Sequence, residues 1–275
     1  MPTLELPRSV IGVPGSLSGT STLNSDATFV QATAETPSGG EWRAPVRRQV
    51  LGHRERAMVS AMTEPSVLHE TRAAYDAVAA LYAELFSNVL ETLPMERALL
   101  AAFAELVQAH NAGPVADIGC GPGHLTAHLH ALGPATFGID LSSEMVALAR
   151  RAYPDLRFDE GSMTALDLAD GVLGGILASY SIIHARPQQL PAVFTEFQRV
   201  LEPGGHLLLG FFASDDPLPQ EFDHKVTLAY RWSPDSLAEL LRQAGFVEVA
   251  RLLREPHQDE RFQQAHLLVR KPQEP

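Results

Sequence analysis

A short apolar strand that leads directly into three glycines is the feature that most restricts how this chain can fold. Residues Val115 to Ile118 are followed by Gly119, Gly121 and Gly123, and helix-forming residues begin after them. Glycine permits the tight turn between a buried strand and a helix, and it lets a ligand approach the backbone. The amides at the start of that helix favour negative charge on the ligand. The segment therefore predicts a strand–loop–helix unit of an open α/β sheet, with a binding site at the loop.

Apolar strands and amphipathic helices alternate after this loop, which is typical of a sheet covered by helices on both faces. Helices are predicted at 123–132, 143–152, 190–200 and 234–243. Only a polar loop separates the last two strands, so we expect them to be antiparallel. The predicted fold class is a doubly wound α/β domain whose mostly parallel sheet has seven strands, at 115–118, 136–139, 156–158, 172–179, 206–212, 247–253 and 265–269.

The composition of the chain changes before this domain. Residues 1 to about 60 contain five prolines and many Ser and Thr, without helical or strand periodicity. We expect them to be disordered or to form an arm that docks on a second copy of the chain, which makes a homo-oligomer a candidate assembly. Residues 66–275 are predicted to form one domain with three parts, namely N-terminal helices that lie over the site, a binding core and an aromatic-rich insertion, at 66–111, 115–212 and 213–232.

The spacing of the loop favours one class of ligand over another. Dinucleotide-binding loops have the pattern Gly-x-Gly-x-x-Gly, whereas the third glycine here comes one residue earlier, and Asp117 precedes the first. A carboxylate there suits a ligand with positive charge better than a pyrophosphate. Asp140 ends the second strand, about 21 residues after Gly119, where an acid can accept hydrogen bonds from two ribose hydroxyls. S-adenosylmethionine, which has an ammonium, a sulfonium and a ribose, satisfies both requirements.

The chain resembles the class I S-adenosylmethionine-dependent methyltransferases of the type 11 or type 25 group, which have a Rossmann-like fold. The resemblance extends over about residues 72–270 and depends on Tyr75-Asp76 with Tyr82, on the segments 117–123 and 138–142, and on the Pro-Gly-Gly turn at 199–205. It implies that S-adenosyl-L-methionine is the cofactor. It also implies a set of contacts to that cofactor, from Tyr82, Asp117, Gly119, Cys120, Gly121, Asp140, Leu141, Met145, Ser162, Met163 and Ser179.

The resemblance assigns parts of the cofactor to these residues. Gly119 and Gly121 would contact the methionine moiety, Asp140 would hold the ribose, and Leu141 and Met145 would flank the adenine. Cys120 is expected to fill space within the loop. One departure concerns the third strand, where Ser162 stands in place of the family's acid. A neutral hydroxyl makes a weaker hydrogen bond to the adenine amino group, while Met163 keeps its contact with the ring.

The candidate catalytic residues follow the fourth strand. Tyr180 and His184 lie in the segment from Ser179 to Arg186. The resemblance places Ser179 and Tyr180 by the methionine end of the cofactor and His184 near the acceptor. The ordinary pKa of histidine suits a general base near neutral pH, so His184 is the candidate base, and a purely structural histidine is the alternative. The insertion at 213–232 is expected to recognise the acceptor or to pack on the sheet edge. Three histidines at 124, 128 and 130 have no carboxylate or cysteine cluster beside them, so no metal site is predicted.

Charge restricts the partners. The chain has 21 Lys and Arg against 33 Asp and Glu, a net charge of −12, which argues against a nucleic-acid or membrane surface as the partner. One cysteine, no long apolar run and no signal peptide favour the cytoplasm. The sequence therefore predicts metal-independent methyl transfer to a small organic molecule at oxygen, nitrogen or carbon. The alternatives are a catalytically silent binding subunit, a nucleic-acid or protein methyltransferase, and an oxidoreductase with a nucleotide cofactor.

Overall fold

The computed structural model describes residues 53–273 except Ser87, residues 111–112 and Asp259, with side chains from Val67 onward. The described residues from Val67 onward belong to one compact unit. Most of the predicted N-terminal arm, up to residue 52, lies outside the described residues. Its proposed docking on a second copy therefore stays a prediction.

A seven-stranded sheet forms the centre of the domain, in the order β3-β2-β1-β4-β5-β9-β8. Strands β1 to β5 pair in parallel, while β9 is antiparallel to both β5 and β8. The predicted fold class is thereby confirmed. The strands are β1 Val115–Ile118, β2 Thr136–Asp140, β3 Phe158–Glu160, β4 Leu173–Ser179, β5 Leu201–Phe212, β6 Gln220–Asp223, β7 Leu228–Arg231, β8 Val247–Arg254 and β9 Gln264–Arg270.

Six α-helices accompany the strands in the described residues, and serines cap the starts of α4 and α6. Ser142 Oγ accepts a hydrogen bond from Met145 N at 3.1 Å, and Ser233 precedes a proline at the first helical position. The helices are α1 His53–Phe86, α2 Pro94–Ala109, α3 His124–Ala131, α4 Ser143–Ala152, α5 Leu190–Val200 and α6 Pro234–Gln243, with short 3-10 helices at Val89–Thr92 and Ile182–His184. No helix in this part of the chain is long and apolar enough to cross a bilayer.

Several predicted boundaries were wrong. Helix α1 begins at His53, inside the segment predicted to be an irregular arm, and it ends at Phe86. Strand β3 begins two residues later than predicted. Strand β5 begins at Leu201 rather than at His206, because Leu201 pairs with Leu173 before a register shift accommodates the Pro-Gly-Gly turn.

The insertion at 213–232 contains a hairpin that the sequence reading missed. Strands β6 and β7 pair in an antiparallel sheet of their own. Phe222, Tyr230 and Trp232 are buried in the main hydrophobic core. These three aromatic side chains thus pack as the packing alternative describes, and recognition of the acceptor by the insertion stays a prediction.

Helix α2 packs closely on the middle of the sheet. Phe103 and Val107 lie on its buried face, in one cluster with residues of β1, β4 and β5. A Cβ added at Gly175 of β4 would lie 2.9 Å from Phe103 Cζ and 2.9 Å from Val107 Cγ2. Glycine in this strand is thus required by the close approach of the helix.

We predict that Gly175→Ala lowers the free energy of unfolding by about 1–3 kcal/mol, because the added methyl overpacks the contact with α2. Denaturant unfolding measures the change. The double variant Gly175→Ala/Phe103→Leu should be less destabilised than the sum of its single variants, since leucine removes the crowding ring atom. Additive losses would contradict this explanation.

Candidate active site

The glycine loop after β1 has the conformation that its sequence requires. Gly119, Gly121 and Gly123 have φ values of 77°, 53° and 86°, a region that other residues rarely adopt. A Cβ at Gly119 would lie 2.2 Å from Ser181 Cβ, whereas at Gly121 the nearest atom would be Tyr82 Cε1 at 3.9 Å. Packing therefore excludes a side chain at Gly119, while the space beside Gly121 is open.

The carboxylate of Asp140 connects the loop to the next strand and helix. Its Oδ2 accepts a hydrogen bond from Gly121 N at 2.8 Å, and its Oδ1 accepts one from Ser142 N at 2.8 Å. Burial raises the pKa of Asp140 above its ordinary value, although both amide hydrogen bonds lower it. Each carboxylate oxygen keeps a second lone pair, so Asp140 can still accept from a ligand.

We call the cavity at this end of the sheet the strand-tip cavity. It brings together most of the predicted site residues, namely Tyr82, Gly119, Gly121, Asp140, Leu141, Met145, Ser162, Met163, Ser179, Tyr180 and His184. Ser181 also lines it, and Ser181 Oγ is buried without a hydrogen-bond partner among the described residues. The described lining contains no Lys or Arg. A pyrophosphate would therefore find no cationic side chain in this lining.

Two predicted contacts lie elsewhere. Asp117 is buried and does not line the cavity; Thr126 Oγ1 of α3 donates a 2.6 Å hydrogen bond to its Oδ2. Burial raises the pKa of Asp117 to about 7, although this hydrogen bond lowers it. Cys120 is buried, and its Sγ lies 2.7 Å from the position of a Cβ on Gly138. The structure thus places Cys120 as a packing residue and directs Asp117 to the face of the sheet that α3 covers.

Ser162 and Thr164 form a small polar pair at the end of β3. Their hydroxyl oxygens are 2.9 Å apart, and Thr164 N donates to Ser162 Oγ at 3.3 Å. Both residues line the strand-tip cavity. Thr164 therefore holds the hydroxyl of Ser162 in place.

A second cavity, which we call the adjoining cavity, shares walls with the first. Six residues line both, and they are Tyr75, Tyr82, Gly119, Gly121, Ser179 and Tyr180. Tyr180 has a φ of 53°, a conformation that costs free energy for a tyrosine and is typical of functional sites. The adjoining cavity encloses about 1010 Å³ of empty space, part of it open to solvent. Concave sites with largely apolar walls and a few polar groups are where proteins commonly bind small organic molecules.

His184 forms a hydrogen-bonded pair with Tyr75 of α1. Tyr75 OH lies 2.7 Å from His184 Nε2, and His184 Nδ1 lies 2.8 Å from the carbonyl oxygen of Leu228 in β7. Because a carbonyl only accepts, Nδ1 carries the proton and Nε2 accepts the hydroxyl of Tyr75. Burial lowers the pKa of His184 to about 4, although the hydrogen bond to Leu228 raises it. The ring is therefore neutral at physiological pH.

The adjoining cavity also has charged and polar residues that the sequence analysis did not select. Glu96, Arg254, Glu260, Gln264 and His266 line it, together with His224 of the insertion. A charged residue on the apolar face of α2 was the one signal that could have identified Glu96. Within the described residues, no group of three or more His, Cys, Asp or Glu is arranged to hold a metal.

Comparisons with known proteins identify the core of the domain. Residues 115–205 match the methyltransferase domain family of type 25. A demethylmenaquinone methyltransferase of Beutenbergia cavernae is 32% identical over 153 residues, which cover 56% of this chain and 62% of that protein. The trans-aconitate 2-methyltransferase of Rhizobium meliloti is 38% identical over 102 residues, which cover 35% of this chain and 37% of that protein. This chain thus matches less than two thirds of either relative.

One solved structure extends the comparison to most of the fold. It is the 1,6-didemethyltoxoflavin-N1-methyltransferase of Burkholderia thailandensis, with bound 1,6-didemethyltoxoflavin and S-adenosylhomocysteine. It superposes with a TM-score of 0.57 at 23% identity and covers 83% of this chain and 94% of its own. This similarity establishes the fold.

We predict that the His184 ring keeps its proton on Nδ1 at neutral pH and gains a second proton only near pH 4, because burial disfavours the charged form. Long-range ¹H–¹⁵N NMR of the imidazole reports both properties. Since the folded-state pKa lies below the ordinary 6.5, this group reduces the free energy of unfolding as the pH falls from about 6.5 towards 4.

The control for this titration is a pair of tyrosine variants. Tyr75→Phe should raise the pKa of His184, since the lost hydroxyl stabilised the neutral ring. Tyr153 follows α4 and lines neither cavity, so Tyr153→Phe should leave the pKa of His184 unchanged. A His184 that titrates near 6.5 in the intact protein would contradict the prediction.

Proposed function

We propose that this chain, whose residues 115–205 match the methyltransferase domain family of type 25, is a class I S-adenosylmethionine-dependent methyltransferase that transfers a methyl group from S-adenosyl-L-methionine to a small organic molecule. The observation that carries this proposal is the pair of cavities with a shared wall. One has the carboxylate, glycine loop and apolar flanks that suit the cofactor, and the other offers space for an acceptor.

The residues of the strand-tip cavity fit the cofactor. Asp140 has free acceptor capacity for the two ribose hydroxyls, and Gly121 leaves the backbone open to the methionine moiety. Leu141, Met145 and Met163 provide apolar contacts for the adenine, and the Ser162–Thr164 pair lies beside them. The unpartnered Ser181 Oγ adds a hydroxyl that a polar ligand would satisfy.

Positioning is the main task of this site. The bound cofactor would supply a methyl group attached to a sulfonium, whose sulfur leaves readily as a neutral thioether. The chain must then hold the acceptor atom in line with that methyl group and exclude water. Tyr75, Tyr82 and Tyr180 stand at the shared wall, where the two ligands would meet. These tyrosines therefore orient the reacting groups in this proposal.

His184 accepts the proton of the acceptor through Tyr75. The Tyr75 hydroxyl gives its proton to His184 Nε2 and receives the proton of the acceptor, while Nδ1–H stays on the carbonyl of Leu228. With a pKa of about 4, His184 is too weak a base to ionise a free hydroxyl. It can receive the much more acidic proton of an oxygen that has already begun to accept the methyl group.

The net charge of −12 supports a small acceptor rather than nucleic acid. We also propose a cytoplasmic location, which the single cysteine supports. Assembly through the N-terminal arm remains part of the proposal.

We expect S-adenosylhomocysteine to bind the purified protein and Asp140→Asn to weaken that binding about 10–100-fold. The substitution removes charge-assisted hydrogen bonds of about 1.5–3 kcal/mol. Titration calorimetry measures both affinities, and a thermal melt establishes that the variant is folded. The matched control is Asp167→Asn, which changes an exposed carboxylate of the same domain.

Other results of this titration would point elsewhere. Binding without methyl transfer to any acceptor would favour a silent binding subunit. Binding of NADH in place of S-adenosylhomocysteine would favour an oxidoreductase and refute the proposal.

We expect Tyr75→Phe and His184→Asn each to lower kcat at least 100-fold with an acceptor found by labelled-methyl screening, because each interrupts the proton transfer. S-adenosylhomocysteine affinity should change less than threefold, and Tyr153→Phe should behave like the intact protein. An unchanged kcat in both variants would exclude this pair from the mechanism.

A further inference from the structure

Three charged side chains lie together at one end of the adjoining cavity, and we call them the Glu96 cluster: Glu96 of α2, Arg254 at the end of β8, and Glu260 in the following loop. Their side chains are only 7%, 10% and 1% exposed. The rest of the lining is largely apolar, with Phe86, Leu93 and Leu99 among its members. Charge buried in such surroundings must be paired or must serve a ligand.

The guanidinium of Arg254 is almost fully used within the cluster. Its Nε donates to Glu96 Oε1 at 2.8 Å, and its Nη2 donates to Glu260 Oε1 at 2.8 Å. Its Nη1 donates to Glu260 Oε2 at 2.7 Å and to the carbonyl oxygen of Glu255 at 3.0 Å. A guanidinium has five N–H groups, so at most one is left for an anionic ligand. Arg254 is the only arginine or lysine among the described residues of this lining.

The surplus charge of the cluster is negative. Two carboxylates face one guanidinium, and both oxygens of Glu260 are engaged by Arg254, with a further hydrogen bond from His257 N at 2.7 Å. Glu96 differs, because its Oε2 is buried and has no hydrogen-bond partner among the described residues. An unpaired buried carboxylate oxygen is costly, so this oxygen marks a place where a ligand group belongs.

Two histidines that line the same cavity also have a buried polar atom without a hydrogen-bond partner. His266 and His224 are 5% and 3% exposed, and Nδ1 of each is buried without a partner in the described part of the chain. Burial lowers the pKa of His266 to about 4 and that of His224 to about 3. Both rings are therefore neutral near pH 7, and neither offsets the negative charge of the cluster.

We propose that the adjoining cavity takes a cationic amine acceptor, whose ammonium binds Glu96 Oε2 while its apolar body fills the rest of the cavity. This inference rests on the proposed function, in which the adjoining cavity holds the acceptor. Glu96 is then a residue that determines specificity. It favours amines and disfavours carboxylates, because a carboxylate would meet the surplus negative charge and an arginine that is already paired.

The experiment compares matched probes that differ in charge. Tryptamine with indole-3-acetate, and 2-phenylethylamine with phenylacetate, are titrated by calorimetry into the full chain at pH 7.5, with and without S-adenosylhomocysteine. We expect each amine to bind at least tenfold more tightly than its carboxylate partner. Glu96→Gln keeps an oxygen for Arg254 but removes the charge, and it should reduce this preference at least tenfold.

The controls separate charge from folding. Glu105→Gln makes the same change at an exposed position of α2 and should keep the preference of the intact protein. Glu96→Asp keeps the charge on a shorter side chain; it should still prefer amines, with weaker binding. If Glu96→Gln does not fold, the aspartate variant together with the intact protein decides the question.

Each remaining result overturns the proposal. These results are equal or tighter binding of the carboxylates, no binding of any probe, or an unchanged preference in Glu96→Gln. Because the probes are also titrated without S-adenosylhomocysteine, the preference is measured even if the cofactor does not bind. A lack of S-adenosylhomocysteine binding would refute the proposed function without deciding the amine preference.

Discussion

The hydrogen bonds of the Asp140 carboxylate determine how the rest of the site is arranged. One oxygen holds the amide of Gly121, the other holds the amide of Ser142, and Ser142 in turn caps α4 and donates to Asp76 Oδ1 of α1 at 2.6 Å. A single half-buried side chain thus connects the glycine loop, the tip of β2, helix α4 and the helix that covers the site. Charge-assisted hydrogen bonds of this kind are stronger than neutral ones, so the cavity is already shaped before a ligand arrives.

The two cavities differ in electrostatics as well as in shape. At the strand tip, Asp140 accepts hydrogen bonds from backbone amides, whereas the Glu96 cluster in the adjoining cavity contains a guanidinium between two carboxylates. The wall that the two cavities share contains the uncharged phenols of Tyr75 and Tyr180, and the neutral ring of His184 is hydrogen-bonded to Tyr75. A polar but uncharged wall suits methyl transfer, because positive charge moves from the donor to the acceptor and fixed charges at the wall would favour one end state over the other.

The strand-tip cavity could be predicted from the sequence because most of its predicted residues lie at or just after the ends of β1 to β4, and parallel strands bring those ends together. Asp117 shows the limit of that reasoning, since alternation along β1 turns its side chain towards Thr126 of α3. The Glu96 cluster could not be predicted in this way. Glu96 and Arg254 are 158 residues apart, and their contact depends on how α2 and β8 pack in three dimensions. The hairpin β6–β7 was not predicted for a related reason. Its aromatic residues lie in an insertion in which no strands were expected.

Helix α1 contributes Tyr75 and Tyr82 to both cavities, and it is attached to the strand tips by the bond from Ser142 to Asp76 and by the ion pair between Arg72 and Glu160 at 2.7 Å. One element therefore covers two compartments. If this helix swings away, both compartments open to solvent at once, and if it returns, both close. Under the proposed function, exchange of spent donor and release of methylated product would then share one gate, so the dwell time of that gate would set an upper limit on the turnover rate.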